Sequence, residues 1–361
     1  MILKQMKILY LMWIDWKWIW QRPQILAQKL EKEYDVTVAF PQNIISRQKM
    51  QRKNAYPNKF RKIYVVPLYN KFPFLQRIMD WIIRWSLRDS KKYDIIWVGH
   101  PMFEKVIPKD YSGKVVYDCM DNHAALCADS EKERIVEEEI RLVERADIVF
   151  VTAQLLKEKI EKYVVSNNTR VVLVRNGYEQ GNIYRPELAK RKEKYILGYI
   201  GTISEWMDYS IILQSIEEYK NIEYHMIGLV SGDAYVKNDK IYYEGVVEHK
   251  NLYNNIKDYD CLIMPFFVND IVLSVDPVKL YEYISFGKCI VSVYYPEIER
   301  FGEYVYFYKT KDDYCKLMGW LIENGFPPKY TKEEQEEFLK NNTWEERFRV
   351  IRDELGELRK K

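Results

Sequence analysis

Strand-length apolar runs alternate with helix-length amphipathic segments along almost the whole chain. In the first half the runs fall at 7–14 (KILYLMWI), 35–40, 63–67, 94–98 (DIIWV), 114–118 (KVVYD), 147–152 (DIVFVT) and 170–174. A second series follows at 195–200 (YILGYI), 222–227, 241–244, 260–264 (DCLIM), 289–294 (CIVSVY) and 304–308. Runs apolar on both faces suit strands covered by helices on both sides, which is the condition of a parallel sheet built from βαβ units. Helices are predicted at 130–145, 208–219, 250–257, 277–286 and 311–322, with one long charged helix over 331–358.

The alternation lapses at 176–194, NGYEQGNIYRPELAKRKEK, a polar stretch with glycine and proline. With 361 residues the chain exceeds the usual single-domain size. The expectation is an α/β protein of two Rossmann-like doubly wound domains facing a central cleft. The expected domains are residues 1–180 and 190–330, with 331–361 a helix able to cross back to the first. Open sheets of this kind bind ligands outside the carboxyl ends of their strands.

Five cysteines, odd in number and mostly inside apolar runs, read as reduced core thiols rather than a disulfide framework or a metal site. The opening MILKQMKILYLMWIDWKWIW is basic and apolar, yet it lacks a small-residue cleavage site and reads better as a first buried strand. No stretch is long and apolar enough to span a bilayer. The net charge of +3 conceals an asymmetry: residues 41–92 hold thirteen lysines and arginines against two acids, Asp80 and Asp89. Within it, FPFLQRIMDWIIRWSLR interleaves Trp81 and Trp85 with Arg84 and Arg88, the pattern of a helix lying in a membrane interface. A core-facing helix with solvated arginines is the alternative. Nucleic acid would suit the charge, but no recognition motif accompanies it.

In DPVKLYEYISFGKCIV, Lys279 and Glu282 stand three apart in a short apolar helix and share one face. At the carboxyl edge of a sheet, Lys279 could neutralise a diphosphate while Glu282 accepts hydrogen bonds from ribose hydroxyls. A plain surface ion pair is the alternative. Gly201 and Thr202 follow the strand YILGYI in a turn where backbone N–H groups could approach a phosphate. The dinucleotide fingerprint is absent, which disfavours an NAD site. In the first half, YDCMDNH places Asp121 after a strand, suited to act as a base, with Asp118 in the strand itself. Asp15 is the runner-up. It lies beside Trp16 in a tryptophan cluster that could stack on sugar rings. Arg22, at a helix start, could meet the phosphate of a lipid-linked acceptor, and His123 could bind a sugar hydroxyl, as could His100.

GYIGTISEWMD, PFFVND, DPVKLYEYISFGKCIVS, TWEERF, WQRPQILAQKL, VVYDCMDN and VRNGYE together resemble the GT-B glycosyltransferases, in particular family 4-like enzymes of polysaccharide and teichuronic-acid assembly. The most specific element is P-x-K-L-x-E-Y-x-x-x-G-K. The resemblance implies that Lys279 contacts the donor diphosphate, Glu282 the ribose and Gly201 with Thr202 the phosphate loop, with Tyr281 also at the donor site. Two departures stand out. Ser274 occupies the position, eight before Glu282, where retaining relatives carry a glutamate, and the helix after Gly201 lacks their arginine and lysine. The sequence is also similar to the inverting glucuronosyltransferase of xanthan assembly. The implied activity is transfer from a UDP-sugar to a polyprenyl-diphosphate-linked glycan at an anionic membrane, peripheral on its cytoplasmic inner face, without metal or cofactor, with residues 1–180 as the acceptor- and membrane-binding domain and 190–330 as the nucleotide-sugar domain. A sugar-nucleotide epimerase and a non-catalytic sugar-nucleotide-binding partner are the alternatives.

Overall fold

The structure is a computed structural model describing residues 6–43, 55–69, 71–165, 168–179, 181–186, 188–232, 234–248 and 251–360. Four cations of the basic stretch, Arg47, Lys49, Arg52 and Lys53, lie outside the described residues. The chain divides into two compact units: residues 1–175 with Phe348–Lys361, and Asn176–Arg347.

The first unit holds β1 (Lys7–Leu11), α1 (Arg22–Glu31), β2 (Asp35–Asn43), β3 (Phe60–Val65), α2 (Pro73–Ser86), β4 (Ile95–Val98), β5 (Lys114–Cys119), α3 (His123–Leu126), α4 (Asp129–Arg145), β6 (Ile148–Val151), α5 (Gln154–Glu161) and β7 (Arg170–Leu173). Its sheet runs β3-β2-β1-β4-β5-β6-β7, every pair parallel. β4 and β6 are buried at every residue, as their unbroken apolar runs require.

The second unit holds β8 (Tyr195–Ile200), α6 (Tyr209–Glu218), β9 (Ile222–Ile227), β10 (Ile241–Gly245), α7 (Leu252–Ile256), β11 (Cys261–Met264), α8 (Asp270–Leu273), α9 (Val278–Ser285), β12 (Cys289–Val293), β13 (Tyr306–Tyr308), α10 (Lys311–Asn324) and α11 (Lys332–Asn341). Its sheet, also all parallel, runs β10-β9-β8-β11-β12-β13. In both sheets the strand order reverses beside the first strand, between β1 and β4 and between β8 and β11. The crevice beyond the carboxyl ends there is where doubly wound sheets bind ligands.

The expected single helix over 331–358 is instead two. α11 stops at Asn341, and α12 begins at Trp344 and runs to Lys360. Between them the backbone leaves the helix to bridge Tyr178, with Tyr178 N donating to Asn342 O (2.7 Å) and Trp344 N to Tyr178 O (3.1 Å). Thr343 then restarts the helix by accepting from Glu346 N (3.2 Å).

Candidate functional site

Chemistry-bearing side chains gather at the strand ends of each unit. In the second unit, β8 ends at Ile200 and turns through Gly201 at φ 144°; β9 ends at Ile227 and turns through Gly228 at φ 145°. Both angles lie where side chains are strained. Space forbids them as well: a Cβ on Gly228 would sit 1.8 Å from Gly201 O, and one on Gly201 would sit 2.3 Å from Lys279 Cε. The two turns therefore form bare backbone with Lys279 laid against it. Lys279 Nζ stands 5.8 Å from the Tyr199 ring centre and 5.7 Å from that of Phe266, distances of weak cation–π contact. Among the described residues no carboxylate lies within ion-pair distance of this half-buried ammonium. The alternative of a surface ion pair with Glu282 is thus not what Lys279 makes. An unneutralised cation over backbone turns is arranged for an anion.

α9 starts where it does because the residue before Pro277 is anchored. Buried Asp276 accepts from Asn176 N (2.6 Å), from Tyr281 Oη (3.2 Å) and from Arg300, whose guanidinium also lies 4.0 Å from the Phe301 ring centre. This corrects the placement of Tyr281 at the donor. Two positions along the helix from Lys279, its side chain points into the core, fully buried against Phe301 and Phe338. Glu282, one turn on from Lys279, is half-buried. Ser274, buried, donates to Asp270 O (2.8 Å). Gly228 escaped the sequence reading, although a glycine directly after IEYHMI repeats the signal of Gly201 after YILGYI.

In the first unit, Asp121 follows β5 and lines a cavity of about 220 Å³ with Trp13, Gly99, His100 and His123. The loop carrying it is pinned: Met120 O accepts from Thr152 Oγ1 (2.9 Å) and Asn122 Oδ1 from Lys159 Nζ (3.0 Å). Lys159 is itself paired with the wholly buried Glu139 (2.7 Å), which also accepts from Tyr117 Oη (2.7 Å). Burial raises the Asp121 carboxyl to about 6; the nearby Arg22 charge opposes the rise and the Asp118 charge adds to it. Burial, and secondarily the Lys159 charge, lowers His123 to about 3. Burial and then His123 hold His100 well below its usual value. Both rings are neutral at physiological pH, 4.6 Å between centres. His100 Nδ1 accepts from Met102 N (3.2 Å), so its proton sits on Nε2. His123 Nε2 is buried and has no hydrogen-bond partner. A carboxyl poised near neutrality, beside two neutral imidazoles, can take a proton from a bound hydroxyl and orient it.

Asp15 lines a neighbouring cavity of about 340 Å³, with Trp13, Trp18 and Tyr69, and accepts from Lys17 N (2.8 Å) in a turn. It shares the Trp13 wall but not the cavity of Asp121. Two acceptor assignments are corrected. Trp16 is 1% exposed, packs on Phe40 and Trp20 and donates to Ala55 O (2.8 Å), so no sugar can stack on it. Arg22 is 3% exposed; its guanidinium binds Asp118 (2.8 Å) and Val174 O (2.8 Å), joining the first turn of α1 to the ends of β5 and β7 instead of meeting a phosphate. Trp81, Arg84 and Trp85 stand exposed on α2 and Arg88 in the turn that follows it, none of them lining these cavities.

No family model matches the chain. It is 21% identical to TuaH of Bacillus subtilis (strain 168), whose name makes it a proposed glycosyltransferase of teichuronic acid biosynthesis, over 94% of this chain and 88% of that protein. Among solved structures it is similar to sucrose-phosphate synthase from Thermosynechococcus elongatus, with a TM-score of 0.70 at 11% identity over 98% of this chain and 99% of the other. It is also similar to HepE of Anabaena in complex with UDP, with a TM-score of 0.69 at 12% identity over 98% and 100%. The likeness to these structures is one of fold, which the chain builds from two all-parallel sheets of seven and six strands.

Proposed function

We propose that the protein transfers a sugar from a UDP-sugar to a lipid-linked glycan of a cell-surface polysaccharide. The observation that carries this reading is Lys279: a half-buried ammonium with no acidic partner among the described residues, laid on the side-chain-free turn at Gly201, which packs in turn on Gly228. A diphosphate supplies the missing anion, and the carboxylate of Glu282, one helical turn away, is the acceptor for ribose hydroxyls. HepE, similar in fold, holds UDP, and the name of TuaH places that protein in teichuronic acid biosynthesis.

In the reaction the bond between the sugar's C1 and the diphosphate oxygen breaks, and Lys279 stabilises the charge that develops on the departing UDP. An acceptor hydroxyl forms the new bond to C1, and Asp121, ionised above pH 6, takes its proton while His123 orients it. Direct attack assisted by a base inverts the anomeric centre. Ser274, whose hydroxyl is satisfied within its own turn, offers no carboxylate to a retaining mechanism. A lipid-linked acceptor brings the enzyme to the inner membrane surface as a peripheral protein.

The test is UDP release with membranes and a panel of UDP-sugars. Turnover that requires membranes supports transfer. Turnover without any acceptor would indicate hydrolysis or epimerisation, and binding without turnover a sugar-nucleotide-binding partner.

A further inference from the structure

α2 carries two apolar stripes where a surface helix needs one. Met79 and Ile83 are buried and attach it to the sheet. Phe74, Ile78, Trp81 and Trp85 follow at spacings of four, three and four and are 62%, 44%, 64% and 56% exposed. At about 100° per residue these four fall on one line, roughly 150° around the helix from the buried pair. A second stripe this apolar in water asks for a covering surface.

The charges around it identify that surface. Both acids of the segment are already neutralised, Asp80 by Lys105 and Asp89 by Arg61 and Lys92. Lys62, Lys71, Arg77, Arg84 and Arg88 have no acidic partner among the described residues. Arg77 and Arg84 flank the stripe along one side, and Arg88 follows in the turn after the helix. At its end, a groove of about 360 Å³ is lined by Arg61, Lys62, Trp85, Ser86, Arg88 and Asp89. Its unpaired cations rest on aromatic rings: Arg88 lies 4.4 Å from the Trp85 ring centre, Lys62 5.0 Å from that of Tyr56. Tryptophans and cations on one line, with every nearby acid compensated, match an anionic bilayer, whose acyl region takes the rings while its phosphates meet the cations.

We propose that α2 and the adjoining edge of β3 form a docking surface for anionic phospholipid, with Phe74, Ile78, Trp81 and Trp85 inserted and a lipid phosphodiester seated between Lys62 and Arg88. This deepens the reading of a lipid-linked acceptor and rests on it for biological sense, but its test does not use the transfer reaction.

Flotation of the full chain with vesicles of phosphatidylcholine alone, or with 30% phosphatidylglycerol (~30%, enough to set a surface potential), reads the preference directly. Binding at least tenfold tighter to the anionic vesicles is expected, falling as salt rises. Lys62→Gln with Arg88→Gln should remove most of that preference, since each cation near the surface is worth about fivefold in partitioning. Lys91→Gln, whose charge is compensated by Asp110, should change little. Trp81→Ala with Trp85→Ala should weaken binding to both compositions. Affinity for UDP, measured in parallel, should be the same in all four proteins, which shows that the variants are folded. Absent or equal binding to the two vesicle types, or an anionic preference that survives loss of Lys62 and Arg88, overturns the docking surface. Lost UDP binding with intact flotation would instead count against the donor site alone.

Discussion

Lys279 holds its charge against two aromatic rings and a backbone turn, a setting with no attraction comparable to a diphosphate. Charge-assisted contacts contribute about 1.5–3 kcal/mol. Lys279→Ala is therefore expected to weaken UDP binding by roughly 10- to 100-fold in calorimetry. A change below twofold would mean that the lysine only packs. Asp121 makes a two-sided prediction. Its carboxyl is raised from 3.8 to about 6, so between those values the folded chain holds a proton that the unfolded chain has lost. Stability from this group thus declines as pH rises through 6, and at neutral pH the charge is a burden. Asp121→Asn should lose roughly 10²- to 10⁴-fold in turnover. It should also melt higher than the parent at pH 8 and no higher at pH 3.5, where both states are protonated. An unchanged melting temperature at pH 8 would show the carboxylate to be solvated and unfit as a tuned base. Wild-type activity should fall below pH 6. The positions of Lys279 and Asp121 beside strand ends were legible in the sequence, because apolar runs mark where strands stop. Trp16, Tyr281 and Arg22 were not: a large amphiphilic side chain reads alike whether it faces a ligand or a buried partner. Only packing against Phe40, Phe301 and Asp118 decides.

At the scale of elements, the all-parallel strands could be read almost one by one. A run such as CLIM, buried on both sides, leaves no competing period. The break at Asn342 and Thr343 could not be read in the same way, because it is made by a tertiary bridge to Tyr178. Thr343 with Glu346 is a capping signature that helical periodicity on both sides conceals. The glycine turns after β8 and β9 show what strand ends demand of the backbone. Gly228→Ala combines a positive φ with a Cβ 1.8 Å from Gly201 O, so a loss of about 2–4 kcal/mol in urea unfolding is expected, together with loss of UDP binding. Gly245 has φ 72° but nothing within 4 Å of an added Cβ. Gly245→Ala should therefore cost only the backbone term, about 1 kcal/mol. Equal costs at the two positions would show that the close approach of the β8 and β9 turns is relaxed away in solution.

At the scale of the whole molecule, each sheet has its own apolar core: one gathers Leu9, Ile96, Tyr117 and Val149, the other Leu197, Tyr224, Ile263 and Ile290. The residues assigned to UDP all belong to the second unit, so its stabilisation by the ligand acts first on that core. A ligand at a hundred times its dissociation constant adds about 2.7 kcal/mol to whatever opens only when unbound. Hydrogen exchange with saturating UDP should then slow at β8, β9 and α9 by roughly 100-fold, with β4, β5 and β6 unchanged if the units open separately. Equal slowing in both sheets would mean that the two units unfold together. Protection confined to the first unit would remove the donor from Lys279 altogether, because a ligand cannot stabilise a core that it does not touch while leaving unprotected the one that it does.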